Sequence, residues 1–365
     1  MFNLLKKEKV LLLGIFTILF FKLGGEILLN ETTAMSLYIP TSLVLLAIVT
    51  WVIFRVVHHS DVLAIKLGDP YGTLILTLAV ISLEVVMISS VMLTGEPNPT
   101  MARDTMFAVI MLILNGLVGL SLLIGGKRFH TQSFNLNGVK SYIVAIIPLA
   151  IICLVLPNFT VSGSIGGLSP SMSWMLVIMS VVLYGVFLIT QTKSHSNFFI
   201  DENALDDDHH MGETHSNLYH TVMLLSHLAV VIVLAKILAL PINYAVSGVG
   251  APIALSGFLV ACLVLAPEAV GGIKATLHNH LQRTMNLYFG SVLATIALTV
   301  PAVLTISYFT GQEVILGLPA SEMVLLVTSL MVAKVTFSSG RTHSLYGVTH
   351  LLLFAVYLFL MFDVT

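Results

Sequence analysis

The sequence predicts an all-α polytopic membrane protein of eleven transmembrane helices, arranged as one N-terminal helix followed by two inverted five-helix repeats. Three observations carry that expectation. Charged residues occupy only 9% of the 365 positions and hydrophobic ones 57%, whereas an ordinary soluble domain is about 25% charged. Apolar runs recur along the whole chain, each near the length of about 20 residues that a helix needs to cross a bilayer core. Finally, the basic residues collect in alternate loops, as they do when those loops face the cytoplasm.

The runs fall at 10–29, 35–57, 71–94, 104–125, 139–157, 172–192, 218–240, 252–275, 285–308, 318–334 and 344–362, bounded by Gly, Pro, Asn or charge. With the N-terminus in the cytoplasm and the C-terminus outside, Lys6, Lys7, Lys9, Arg55, Lys66, Lys127, Arg128, Lys140, Lys193, Lys274, Arg283, Lys334 and Arg341 all fall inside. Those are 13 of the 16 basic residues, with Lys22, Arg103 and Lys236 left over. Moving the count by one helix would scramble the asymmetry. Lys6, Lys7 and Lys9 precede the first run as in a signal peptide, but no small-residue cleavage site follows, so the run is expected to stay as a first helix.

The longest polar stretch, residues 193–217, separates six runs from five. The expected organisation is therefore an N-terminal helix over 1–30, a first five-helix repeat over 31–192, an acidic cytoplasmic linker over 193–217 and a second repeat over 218–365. An odd number of crossings per repeat inverts one half relative to the other. His58, His59 and Asp61 follow the second run and are expected in a cytoplasmic loop. Lys22 and Glu26, four apart, are expected to pair along the first helix. Cys153 and Cys262 lie in apolar runs as small hydrophobes, which excludes a disulfide framework and a zinc cluster of cysteines.

Two residues do not belong in lipid. Glu84 and Glu268 lie in the middle of the third and eighth runs, equivalent places in the two repeats. A carboxylate at the bilayer centre costs about 2.5–3.5 kcal/mol on insertion scales, so such groups face a bundle interior and do work. At about 100° per residue, Thr73, Thr77 and Glu84 share one stripe of the third helix, and Gly257, Ala261, Glu268 and Gly272 one small-residue face of the eighth. Pro267 removes a backbone donor beside Glu268. The next helices add mid-depth polar groups: Asp104 and Asn115 on the fourth, Thr284, Ser291 and Thr295 on the ninth. The segments ARDTM and QRTMN begin these two helices and are the best local match between the halves.

Two carboxylates among amide, hydroxyl and carbonyl oxygens suit a hard cation such as calcium or sodium. Protons and cations compete for the same carboxylates, which is the minimal chemistry of exchange. The candidate cation and proton ligands are Glu84, Glu268, Asn115, Ser291, Thr295 and Thr77, with Glu84 and Glu268 as the metal-binding pair. The plainer reading of the polar residues is interhelical hydrogen bonding. Asp201, Glu202, Asp206, Asp207 and Asp208 of the linker either form a solvated loop or gather and sense cytoplasmic cations. His209, His210, His215 and His220 lack partner ligands at fixed spacing.

Several segments resemble the calcium/cation–proton exchangers of the CAX type, ChaA-like bacterial antiporters in particular. They are RVVHHSDVLAIKLGDPYGTLILTLAVISLEV, YGVFLITQTKSH with the acidic linker after it, GFLVACLVLAPEAVGGIKATLHNHLQRTMNLYFGSVLATIALTVP and TFSSGRTHSLYGVTHLLLFAVYLFL. The resemblance implies a sodium/calcium exchanger-like fold and one essential acidic residue per repeat, here Glu84 and Glu268. It also implies polar positions at Asn115 and Ser291. Where that family usually has Gly-Asn before each repeat glutamate, this chain reads ISLE and LAPE, so side-chain amides are missing there.

The expected function is secondary transport that exports Ca2+ and/or Na+, with K+ a further candidate, in exchange for protons. The alternatives are a Na+(K+)/H+ antiporter with little Ca2+ activity, or an intramembrane metalloenzyme using histidines. No enzyme activity and no cofactor is expected. The partners are the bilayer of a bacterial inner membrane, cations and protons; a net charge of −2 excludes nucleic acid, and a homo-oligomer is left open.

Overall fold

The computed structural model describes residues 8–30, 33–67, 71–92, 98–160, 166–201, 215–248 and 250–363, without the side chains of residues 71–74, 76 and 247. Among them, each of the eleven apolar runs contains a helix. These are α1 (Lys9–Lys22), α2 (Met35–Leu67), α3 (Tyr71–Met92), α4 (Met101–Phe129), α5 (Leu136–Leu154), α6 (Pro170–Ile189), α7 (Asn217–Ser247), α8 (Ala254–Leu277), α9 (Leu281–Thr310), α10 (Ala320–Thr336) and α11 (Ser344–Asp363). Eight of them are long and apolar enough to cross a membrane. Of the rest, α10 has 17 residues, near the short end for a crossing. The 14 residues of α1 reach only about 21 Å at 1.5 Å per residue, and a 3-10 turn over Gly25–Leu29 extends the run.

Two expectations fail at helix ends. The second helix does not stop near residue 57; α2 runs 33 residues to Leu67, because its last turns lie along α7 rather than entering solvent. His58, His59 and Asp61 therefore sit in a helix and not in a loop, with His59 only 1% exposed. Lys22 is the last residue of α1 and Glu26 lies in the 3-10 turn beyond it, so the four-residue helical spacing between them is not realised.

The chain forms two compact units, residues 1–101 with 213–267 and residues 102–212 with 268–365. Each takes helices from both proposed repeats, and each takes equivalent ones. In the first unit α2, α3 and α7 pack on one another, with α1 against α2 and α7. Gly14 lets α1 approach closely, since a Cβ there would lie 2.6 Å from Val230 Cγ1.

In the second unit α4 and α11 approach closely. A Cβ on Gly347 would lie 2.5 Å from Leu123 N and 2.6 Å from Gly119 O, so backbone meets backbone, as small residues allow between membrane helices. Loops expected on one side also bond to one another here. The two-residue strands β1 (Gln132–Ser133) and β2 (Arg341–Thr342) pair antiparallel between the α4–α5 and α10–α11 loops. On the other side, Leu318 N donates to Leu154 O and Arg103 to Gly317 O.

Replacing Gly347 with Val should force α4 and α11 apart and cost about 1–3 kcal/mol by overpacking. Thermal unfolding of the detergent-solubilised protein should show a lower Tm, and an unchanged Tm would refute the close approach.

Candidate cation site

Glu84 belongs to the first unit, near the middle of the 22-residue α3. It is 1% exposed, on the face shared with Ile81 and Ile88, whereas Leu78 on the opposite side is 57% exposed. That pattern turns the carboxylate into the bundle and an apolar side chain out toward lipid. Thr77, one of its predicted companions, is half-buried. The side chain of Thr73 lies outside the described residues.

Glu268 is the first residue of the second unit, since α8 passes from one unit to the other between Pro267 and Glu268. It is 5% exposed and continues the buried face of Ala261 and Val264, while Val270 points outward at 42% exposed. The small-residue face predicted for α8 has an occupant. The Tyr288 ring of α9 lies where a Cβ on Gly272 would sit, and its hydroxyl reaches Ala269 O at 3.5 Å and Ser121 Oγ at 3.4 Å. Thr284 Oγ1 donates toward Gly272 O at 3.0 Å. Thr284 is thus spent on joining α8 to α9.

Asn115 is fully buried within a π-helical stretch of α4, Met111–Leu117. Its amide nitrogen donates to Ser329 Oγ of α10 at 2.8 Å. Its carbonyl oxygen accepts from His350 Nδ1 of α11 at 3.2 Å, and His350 Nε2 then accepts from Thr336 Oγ1 at 3.1 Å. Interhelical bonding is therefore realised for Asn115, and it leaves one lone pair on the amide oxygen for other use. His350 and Ser329 are residues that sequence inspection passed over, because a lone His or Ser in an apolar run carries no signal of its partner.

On α9, Thr295 opens a second π-helical stretch, Thr295–Thr299, and is 1% exposed. Ser291 is half-buried, and its Oγ has no hydrogen-bond partner among the described residues. Arg103 and Arg283 occupy the third position of α4 and α9, and Asn115 and Thr295 each follow twelve residues later. Both lie in a π stretch, a feature frequent at functional sites because it shifts the helical hydrogen bonds and re-aims carbonyls. No residue pattern in the sequence announced either one.

Of the acidic linker, Asp201 is described and Glu202, Asp206, Asp207 and Asp208 lie outside the described residues, as do His209 and His210. Asp201 Oδ2 accepts from Arg283 N at 3.4 Å and lies 3.6 Å from His280 Nδ1. A carboxylate there satisfies a free amide at the start of α9 and complements the helix dipole. The residues just before it are docked as well: Phe199, 8% exposed, packs edge-on to Tyr142 with centroids 5.4 Å apart.

Asn115→Ala should leave the His350 and Ser329 groups without their shared partner and destabilise the protein by about 1–3 kcal/mol. The measurement is a thermal melt beside Asn115→Asp. An unchanged Tm for the alanine variant would mean that the network carries no stability.

Comparison with known proteins gives a consistent picture. The profile of the family described as sodium/calcium exchanger protein matches residues 37–193 and 219–362. The sodium-potassium/proton antiporter ChaA of Escherichia coli (strain K12) is 48% identical over 314 residues, 85% of each chain. Among solved structures, native YfkE aligns with a TM-score of 0.75 at 17% identity, covering 97% of this chain and 100% of its own. The H+/Ca2+ exchanger CAX aligns with a TM-score of 0.65 at 13% identity, covering 87% and 82%. These two share the fold. An intramembrane metalloenzyme is set aside by the same matches, and the chain belongs to the sodium/calcium exchanger protein family, a transporter and not an enzyme.

Proposed function

We propose that this chain is a multi-pass inner-membrane antiporter that exports sodium and potassium in exchange for protons, with calcium as a competing cargo. The observation that carries the reading is the pair of buried carboxylates, Glu84 at 1% and Glu268 at 5% exposed, each central in an apolar helix at equivalent places of the two repeats. The 48% identical relative bears the name of a sodium-potassium/proton antiporter, which favours monovalent cargo. The absence of an amide beside each glutamate, in ISLE and LAPE, points the same way.

In this reading all eleven helices cross the bilayer, with the N-terminus in the cytoplasm and the C-terminus outside. The halves 31–192 and 218–365 act as inverted repeats that rock around a midplane site, and Glu84 and Glu268 face the two sides in turn. Outside, the carboxylates take up protons. Inside, the protons leave and a cation takes their place. Thr77, Ser291 and Thr295 supply hydroxyl oxygens, and Asn115 supplies the spare lone pair of its amide oxygen. A cycle that moves net charge gains about 2.3 kcal/mol per charge per 100 mV of membrane potential. The linker carboxylates Asp201, Glu202, Asp206, Asp207 and Asp208 tune cytoplasmic cation access, with Asp201 doubling as the cap of α9.

The test is reconstitution in vesicles with an imposed proton gradient, following internal pH on addition of Na+, K+ or Ca2+. Na+ and K+ should each collapse the gradient, and Glu84→Gln and Glu268→Gln should each abolish exchange while inserting normally. Normal rates in both variants would end the site assignment, and exchange driven by Ca2+ alone would end the monovalent reading. Deleting 202–210, which spares the Asp201 cap, should change the apparent affinity for Na+ several-fold with little change in maximal rate. Complete loss of transport on that deletion would count against a tuning role.

A further inference from the structure

The first unit holds a convergence of ligand-type side chains that includes neither Glu84 nor Glu268. Glu8 immediately precedes α1, His59 lies one turn beyond Arg55 on α2, and His227 lies on α7. They are 5%, 1% and 0% exposed. One ligand atom from each falls within 4.8 Å of the others. His59 Nε2 is 3.6 Å from Glu8 Oε1, and His227 Nε2 is 3.6 Å from Glu8 Oε2. A tetrahedral ion with bonds of about 2.0–2.1 Å holds its ligand atoms about 3.3–3.4 Å apart, so each imidazole already lies near ligand spacing from one Glu8 oxygen. The three atoms, within 4.8 Å of one another, have to draw together by at most about 1.4 Å.

The ring orientations are those of metal ligands. His227 Nδ1 donates to Met223 O at 2.8 Å, which fixes the proton there and aims the Nε2 lone pair at Glu8. That Nε2 has no hydrogen-bond partner among the described residues. His59 Nδ1 is 3.0 Å from His220 Nδ1, an outer contact that leaves His59 Nε2 facing the carboxylate. Such second contacts, to a backbone carbonyl or a neighbouring side chain, are how proteins orient ligating histidines. Burial would push the Glu8 pKa up, but hydrogen bonds with His59, Tyr219 and Arg55, and the Arg55 charge, hold it well below the usual carboxylate range. The Tyr219 hydroxyl also donates to Glu8 Oε1 at 2.7 Å.

Two imidazole lone pairs and a carboxylate aimed at one point repel one another unless a cation lies among them. Arg55 supplies part of that charge, with Nη2 at 2.8 and 2.9 Å from the two Glu8 oxygens and 3.3 Å from His59 Nε2. Its side chain is 25% exposed, so it has a path to swing away. We propose that Glu8, His59 and His227 form a binding site for a zinc-class divalent transition metal that clamps α1 onto α2 and α7, with Arg55 as the competing internal cation. Imidazole nitrogen selects this class over the oxygen-preferring calcium, sodium and potassium. The clamp joins three segments of the first unit, and neither Glu84 nor Glu268 contributes to it.

The experiment uses the full-length protein in detergent, stripped with EDTA and titrated with ZnCl2 by calorimetry and with CoCl2 by visible absorption. One equivalent should bind, with the intense bands of four-coordinate cobalt, and zinc should raise the Tm. His59→Gln and His227→Gln should each weaken binding by about tenfold or more. Arg55→Met should tighten it by removing the competing cation, and Glu268→Gln should leave it unchanged even though transport is lost. Should His59→Gln fail to fold, His227→Gln and Arg55→Met still decide the matter. The proposal is overturned by the lack of stoichiometric binding, by binding that survives His227→Gln, by weaker binding in Arg55→Met, or by loss of zinc affinity in Glu268→Gln.

Discussion

Within a bilayer core no water is at hand to complete a hydrogen bond, and this one condition organises the molecule. Every peptide group must be satisfied by its own chain, so the apolar runs become helices. Lipid is as apolar as the side chains it would replace, and helices therefore associate through close packing and polar contacts rather than by expelling water. The α4–α11 seam shows the first device, with Gly119 and Gly347 bringing two backbones together. The chain of Ser329, Asn115, His350 and Thr336 shows the second, tying α4, α10 and α11.

The same condition makes departures from regular helix informative. Pro267 interrupts the α8 ladder directly before Glu268, and π-helical stretches interrupt α4 at Asn115 and α9 at Thr295. Each break loosens backbone carbonyls in a place where no water can compensate, which is tolerable only in a protein-lined interior. That the breaks on α4 and α9 contain residues at matching distances from Arg103 and Arg283 is what two copies of one ancestral plan would leave behind. Both compact units draw on helices of the two halves.

Charges outside the apolar stretches serve a different purpose. Asp201 caps α9 and fastens the start of the linker, while Glu8, just before α1, gathers Arg55 and His59 of α2 and Tyr219 and His227 of α7. Both arrangements place an acid beside the start of a helix, at positions the hydropathy pattern marks only as boundaries. The linker is consequently not a free tether over its first residues, since Phe199 and Asp201 are docked on the second unit.

Length, apolar runs and the placement of Lys and Arg determined the helix succession, because bilayer thickness and loop charge act on local sequence. That Glu84 and Glu268 turn away from lipid was legible for the same reason, since a carboxylate facing hydrocarbon costs too much. Tertiary structure alone decided the rest. Extension of α2 to Leu67 depended on a partner, α7, far away in the chain. For Asn115 the sequence offered both a ligand and an interhelical hydrogen bond, and His350 and Ser329, more than two hundred residues distant, supplied the bonds. Glu8, His59 and His227 became one cluster only through helix packing, since convergence of side chains across such separations leaves no periodicity or spacing in the sequence.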